Sequence, residues 1–453
     1  MHRRRFLKNM GLASVSLGMP VIVPASVFGH NAPSNRITVG MIGLGRQGFG
    51  QNLQGTTLPG GGGRIPGILD IEEAQVVAIC DVDSWRMNKA KDVVEGYYAK
   101  KSANGKYKGC ATYGDFRELL ARKNIDAVMI STPDFWHVPM GILAAKAGKH
   151  ISCEKPLSMS VHQGRSLVEA IKKYGVINRT DSEFRSIRSQ NQAVEWVRNG
   201  RIGMLKKVEI FFPADPDPLP PQPDMPVPKE LNYDLWLGPE SYAPYTEHRV
   251  HTPFNQQNRP GWMRVDTYAQ GMIANWGAHY FDIAQWANNS EYSGPVEIEG
   301  RGEFPKSLWN TMINFRVSFR YANGVEITCE QSPTSKPSVK YTGSEGWILV
   351  NGYPGEIVTS NPNIANSKPE KGEMDLSATL WDKTDFIRAI KENRPTLEPI
   401  ETGHRTISIS QIGLIACQCG STLTWDPEKE MFTGNNAANA LLAAPLARKE
   451  WIV

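Results

Sequence analysis

Largely apolar runs alternate with glycine clusters and amphipathic stretches through the first third of the chain. Ile37 to Ile42 forms one such run and leads into the glycine cluster of "RITVGMIGLGRQGFG". "AQVVAICDVD" (74–83) and "AVMIST" (127–132) read as two further buried strands, while "FRELLAR" and "GILAAKAG" supply helices between and after them. Strand alternating with helix predicts a doubly wound, parallel α/β sheet of the Rossmann type.

After residue 156 the rhythm changes. "SMSVHQGRSLVEAIKKYG" reads as a helix with serine at its start and glycine at its end, and "AVEWVRNGRIG" as another. "KKVEIFF", the ladder "TMINFRVSFRYANGVEITCEQ" with a turn at Ala322-Asn323-Gly324, and "GWILV" read as strands without intervening helices. Such a run predicts an α+β domain with a largely antiparallel open sheet. The expected division is 30–156 for the first domain and 157–453 for the second. Between these strands lies "PADPDPLPPQPDMPVP" (213–228), half proline and unable to form regular structure. It reads as an extended surface loop, a border of the site, or a reach toward a neighbouring subunit.

"NWGAHYFDIAQW" (275–286) has helical periodicity, with Asn275, His279, Asp282 and Trp286 on one face and Trp276, Tyr280 and Ile283 beside it. A lone histidine there is either a satisfied packing residue or a catalytic group. A cofactor and a partner group elsewhere in the chain are needed to choose the second.

The formal charge of +4 is local in origin. Arg3, Arg4, Arg5 and Lys8 are four of the 50 basic residues, and without them the basic residues equal the 46 acidic ones. A nucleic-acid partner therefore loses its electrostatic footing. The first 29 residues hold no acid, and "RRRFLK" matches the twin-arginine export pattern, so residues 1–29 read as a signal for export in the folded state to the periplasm. No stable membrane insertion is expected of the mature chain. None of the six cysteines forms a CxxC pair, and neither a metal site nor a disulfide framework is read from them.

Gly43-Leu44-Gly45-Arg46-Gln47-Gly48 is G-x-G-x-x-G, following a strand and opening a helix. That context makes it a pyrophosphate cradle. Asp81, at the end of the next strand, fits the acid that accepts ribose hydroxyls and favours NAD by repelling a 2′-phosphate. Arg46 and Arg86 keep NADP open. "SCEKPLS" (152–158) falls where the first domain hands over to the second and places Lys155 beside the ligand crevice, next to a Pro156 whose peptide bond fits the cis form.

"GLGRQG", "STPDFWH", "CEKPLS" and "GMIANWGAHYFD", in this order and spacing, resemble the Gfo/Idh/MocA family (glucose–fructose oxidoreductase and inositol dehydrogenase). The resemblance runs from about Arg36 to the end, and "GSEGWI", "ETGHRTISISQIG" and "LTWDPE" are similar to its larger exported bacterial branch. It implies a catalytic Lys155 and His279, with Asn275 where the family usually has aspartate. It also implies a cofactor neighbourhood of Ser131, Thr132, Pro133, His137 and Glu154, and a homodimer or homotetramer. Chemistry supports the pair independently: a hydroxyl that is to lose hydride must also lose its proton to a base, and a cation steadies the developing alkoxide. Asp282 is expected either to compensate for Asn275 or to cap structure. Arg185 matches a family arginine near the cleft, and Glu183 stands beside it where glutamine is more usual. Tyr245, His248, Arg249, Trp262, Arg264 and Trp276 are the aromatic and hydrogen-bonding mixture that binds carbohydrate.

Export adds a constraint, since free nicotinamide nucleotide has no obvious supply outside the cytoplasmic membrane. A tightly held cofactor recycled in place is expected. The expected activity is oxidation of a sugar or glycoside hydroxyl. The alternatives are a redox-neutral glycosidase working through a transient keto sugar, and a noncatalytic sugar-binding protein, for which Asn275 is the best argument.

Overall fold

The computed structural model describes residues 35–59, 63–332, 336–444, 448 and 451. The basic segment read as an export signal lies outside the described residues. Strands β1 (Ile37–Ile42), β2 (Ala74–Cys80), β3 (Ala111–Tyr113), β4 (Ala127–Ile130), β5 (His150–Glu154) and β6 (Asn178–Asp181) form one sheet. Their order is β3-β2-β1-β4-β5-β6, and every pair is parallel. This is the doubly wound arrangement, with the switch point between β1 and β4. The last four residues of β1 and all of β4 are buried, as expected where helices cover both faces. The sheet continues past residue 156, the expected boundary, and β6 is its sixth strand.

Local signals account for the connecting helices. Asp83 caps Ser84–Lys101 by accepting from the Trp85 and Arg86 amides. Ser160 caps Val161–Tyr174, and Gly175 ends it in the left-handed conformation at φ 65°. The helix opened by the glycine cluster, Arg46–Gln54, is wound as a π-helix, a form concentrated at functional sites.

The second sheet has nine strands: β7 (Leu205–Phe212), β8 (Glu297–Glu303), β9 (Ile313–Arg320), β10 (Glu326–Gln331), β11 (Ser338–Gly343), β12 (Trp347–Asn351), β13 (Glu356–Thr359), β14 (Leu423–Asp426) and β15 (Met431–Phe432). They run β13-β12-β11-β7-β10-β9-β8-β14-β15, antiparallel except for the β7–β10 pair. Alternation places Phe315, Val317 and Phe319 of β9 inside and Asn314, Arg316 and Arg320 outside. Tyr280, Phe281 and Ile283 share a core with Phe212, Val317, Phe319, Ile327 and Tyr341. The helix carrying His279 is thereby fixed against the sheet.

That helix departs from the periodic reading. It breaks at Trp276 into Gly271–Asn275 and Gly277–Ala287, and every residue of the second piece is buried. A helix packed on all sides has no solvent stripe, so the polar face inferred from spacing is an interior face. The proline-rich stretch 213–228 is irregular, as its composition requires. Its Asp215 pairs with Arg259 and Arg264 at 3.5 and 3.3 Å. Among the described residues, no helix is long and apolar enough to cross a membrane.

Candidate active site

A cavity of about 550 Å³ opens at the switch point of the first sheet and extends to the His279 helix. Gly43, Gly45, Arg46, Gln47, Asp81, Ser131, Thr132, Pro133, Glu154, Lys155, Trp262, Asn275, Trp276 and His279 all line it. Two glycines explain the turn. Gly43 has φ +84°, and a Cβ there would meet the Ser131 carbonyl oxygen at 2.6 Å; one on Gly48 would meet the Gly43 carbonyl oxygen at 2.0 Å. Gly48 thus packs helix on strand and does not line the cavity. Gly45 faces open space apart from an Arg86 nitrogen 3.2 Å from its notional Cβ, so the turn leaves room for a ligand. The Thr132 hydroxyl and Gln51 Nε2 are buried without a protein partner, and both residues line the cavity. These features fit a dinucleotide: an open glycine turn, a carboxylate one strand over, and polar atoms awaiting a ligand.

Asp81 accepts from the Leu44 amide at 2.6 Å and the Asp83 amide at 2.8 Å, which pins the acid to the glycine turn. Burial pushes its carboxyl up to about 6, against the pull of Arg86. The Arg86 guanidinium donates to the Asn255 carbonyl at 3.0 Å and lies 3.8 Å from Asp83.

Lys155 and the histidine helix meet. Lys155 Nζ donates to the main-chain carbonyl of Asn275 at 3.4 Å, across 120 positions of sequence. The Lys155–Pro156 peptide is cis. Phe184 stacks on the His279 ring at 4.5 Å, and Trp276 meets it edge-on at 6.1 Å. Burial holds the imidazole down at about 3, with Glu183 raising and Lys155 lowering it, so it is neutral near pH 7.

Ser182 lies 3.3 Å from His279 Nδ1 and donates its own proton to the Ala278 carbonyl at 3.5 Å. With the serine proton on that carbonyl, the serine oxygen is free to accept Nδ1–H, the tautomer that leaves the lone pair on Nε2. Orientation of the imidazole therefore comes from Ser182, and Asn275 contributes its backbone carbonyl to Lys155.

Other expected residues are placed elsewhere. His137 is wholly buried with Nδ1 2.7 Å from the Pro156 carbonyl and Nε2 3.0 Å from the Thr132 carbonyl, and it does not line the cavity. It ties the cofactor loop to the turn after Lys155. Arg185 grips Asp282 through two bonds of 2.8 and 2.6 Å and covers the Trp286 ring at 4.6 Å. Both ends of this pair are buried away from the cavity, so Asp282 neither compensates for Asn275 nor meets a ligand. Tyr245 packs edge-on to Tyr233 at 5.5 Å, Arg249 bonds Tyr268, His248 lies beside Trp309, and Arg264 pairs with Asp215. None of these four lines the cavity; of the carbohydrate-type residues, Trp262 and Trp276 do.

Tyr353 and Asp134 line the cavity without having been singled out in the sequence, and Glu183, noted there only as standing beside Arg185, lines it too. Glu183 and Tyr353 face the site joined by a 3.1 Å hydrogen bond from the tyrosine hydroxyl. Asp134 lines it with its carboxyl pushed up to about 8 by burial, despite Lys155 and Arg259. Asp134 sits inside a motif already noticed, "STPDFWH", and Glu183 stands two positions before Arg185, whereas no local pattern marks Tyr353.

A switch-point glycine turn, an acid one strand over and a lysine–histidine pair define a nucleotide-dependent oxidoreductase architecture. The chain belongs to the Gfo/Idh/MocA oxidoreductase family: the family's NAD-binding Rossmann fold matches residues 37–181 and its C-terminal alpha/beta domain matches residues 219–453. An uncharacterized oxidoreductase from Synechocystis sp. is 30% identical over 339 residues, 73% of each chain. A glycosyl hydrolase family 109 protein from Shewanella baltica is 30% identical over 226 residues, 47% of this chain. The match spans about half (46%) of that relative's length. The fold is similar to an aldose-aldose oxidoreductase from Caulobacter crescentus (TM-score 0.57, 15% identity, 86% of this chain and 99% of that one). It is also similar to the WlbA dehydrogenase from Bordetella pertussis, solved with NADH and UDP-GlcNAcA (TM-score 0.60, 15% identity, 86% and 99%).

Proposed function

We propose that this chain oxidises a hydroxyl of a sugar or glycoside. The observation that carries the reading is the convergence of Lys155 and His279 on one cavity that begins at the glycine turn. His279 Nε2 accepts the hydroxyl proton as the C–H bond gives up hydride and the carbonyl forms. Lys155 Nζ donates to the same oxygen and steadies its developing charge. NAD, held by the glycine turn and Asp81, supplies the hydride acceptor. Trp262 and Trp276 offer aromatic faces to sugar C–H groups. Absorbance in the reduced-nicotinamide band, followed as purified protein carrying NAD meets a panel of sugars and glycosides, tests the reading. A signal with any of them supports it, and silence with all of them removes it.

A second reading, redox-neutral cleavage of a glycoside through a transient ketone, is favoured by relatives named glycosyl hydrolases. Release of a chromophore from an aryl glycoside without added nicotinamide distinguishes it. The acid-free, twin-arginine-like N-terminus supports export and hence a cofactor retained and recycled in place. Mass spectrometry of the denatured protein reads that retention. A homo-oligomer belongs to the same proposal, resting on the family resemblance.

A further inference from the structure

Ser182-Glu183-Phe184 wraps the catalytic imidazole. The serine hydroxyl and the phenyl ring both touch His279, and between them Glu183 lines the same cavity at 4% exposure. Its Oε1 accepts from the Tyr353 hydroxyl at 3.1 Å, while Oε2 is buried with no protein partner. Leaving a carboxylate oxygen so costs stability unless a positive charge or a ligand answers it. Asn275, which lines the same cavity, has a neutral amide side chain, and its main-chain carbonyl is engaged by Lys155. A proton arriving on Nε2 therefore creates a buried cation facing an ammonium, with no carboxylate from position 275 to balance it.

We propose that Glu183 is the positioning counter-charge of His279, stabilising the imidazolium formed as Nε2 takes the substrate proton. The inference rests on the hydride-transfer reading above. In that step the substrate O–H bond breaks and the Nε2–H bond forms, while Glu183 keeps its charge and receives no proton. The surroundings agree. Lys155 and Lys383 face Glu183 as cations, and Asp181, Asp382 and Glu154 face it as carboxyls. Asp181 and Asp382 are already answered by Arg179 and Lys383. Burial raises the Glu183 carboxyl, but its electrostatic interactions with His279 and Lys155 outweigh it and hold the group below the ordinary carboxylate range. The neighbouring Tyr353 phenol donates to it and so favours the ionised form.

The test reads protonation directly. Full-length protein with isotope-labelled histidine is titrated by NMR, and His279→Ala assigns the signal. A Lys155→Met background removes the opposing ammonium and lifts the titration to accessible pH. In that background Glu183→Gln is expected to lower the His279 protonation constant roughly tenfold, about one pH unit, with Glu183→Asp recovering part of it. An unchanged titration overturns the proposal. With D-glucose and myo-inositol as hydride-donor probes, Glu183→Gln in otherwise native protein should lower kcat, leave KM nearly constant and move the acid limb of the rate profile to lower pH. A rise in KM with an unmoved limb counts against it. NMR needs no turnover, so protein that reduces no nicotinamide sinks the hydride-transfer reading, while the titration still decides the pairing of Glu183 with His279.

Discussion

Lys155 Nζ reaches the main-chain carbonyl oxygen of Asn275, 3.4 Å away, and not its side chain. The domain junction and the histidine helix are thereby joined through an atom that any residue at 275 supplies. Asparagine in place of the aspartate that the family resemblance implies consequently changes the charge at this position and leaves the anchor of the lysine intact.

Asn275→Ala should therefore retain an ordered Lys155 and lose less than about tenfold in the rate of nicotinamide reduction. Lys155→Ala should cost about 10²–10³-fold, the range for removing one donor to a developing oxyanion. Single-turnover absorbance measures both. Equal losses in the two variants would show that the Asn275 side chain takes part in the chemistry.

Arg185 and Asp282 form a buried bidentate pair with side chains 4% and 0% exposed. Asp282→Ala removes the bidentate partner of a buried guanidinium, which keeps only Glu291 at 3.3 Å as a carboxylate, and should destabilise the fold by about 3 kcal/mol. Urea unfolding measures this. A variant as stable as wild type but unable to bind sugar would restore Arg185 and Asp282 to the site.

These two residues show where the sequence stops being informative. The glycine turn, β1, Asp81 and the Ser160-capped helix are each encoded within a few consecutive residues, so pattern alone placed them. Arg185 reads identically whether its partner is a ligand hydroxyl or Asp282, 97 positions away, and only the closed fold decides. Tyr245, Arg249 and Arg264 have the composition of a carbohydrate site yet lie against Tyr233, Tyr268 and Asp215 and do not line the cavity. Tyr353 reaches the cavity from the turn after β12 and carries no motif at all.

His137 bridges the Thr132 and Pro156 carbonyls, and burial holds its ring down at about 4, so it is neutral at pH 7 with a single N–H to share between them. His137→Leu should cost about 1–3 kcal/mol through the orphaned carbonyl. It should also weaken NAD binding and slow turnover together, because both loops move. Calorimetry with NAD beside kinetics checks the coupling; loss of turnover with unchanged NAD affinity would deny it.

Asp81 sets a pH dependence. Burial pushes its carboxyl up to about 6 in the folded protein, above the usual aspartate range, so the ionised form proposed to accept ribose hydroxyls is lost as pH falls through that value. NAD affinity should be roughly tenfold weaker at about pH 5 than at about pH 7.5, and Asp81→Asn should flatten the profile. Fluorescence titration with NAD reads both. An affinity that rises on acidification would contradict the assignment.

Rapid mixing of NAD-loaded protein with a reactive sugar, compared across wild type, Lys155→Ala and His279→Ala, addresses the shared alcohol site most directly. The predicted result is a rise in reduced-nicotinamide absorbance for wild type and a loss of about a hundredfold or more in rate for each variant. Both variants reducing NAD as fast as wild type would contradict it.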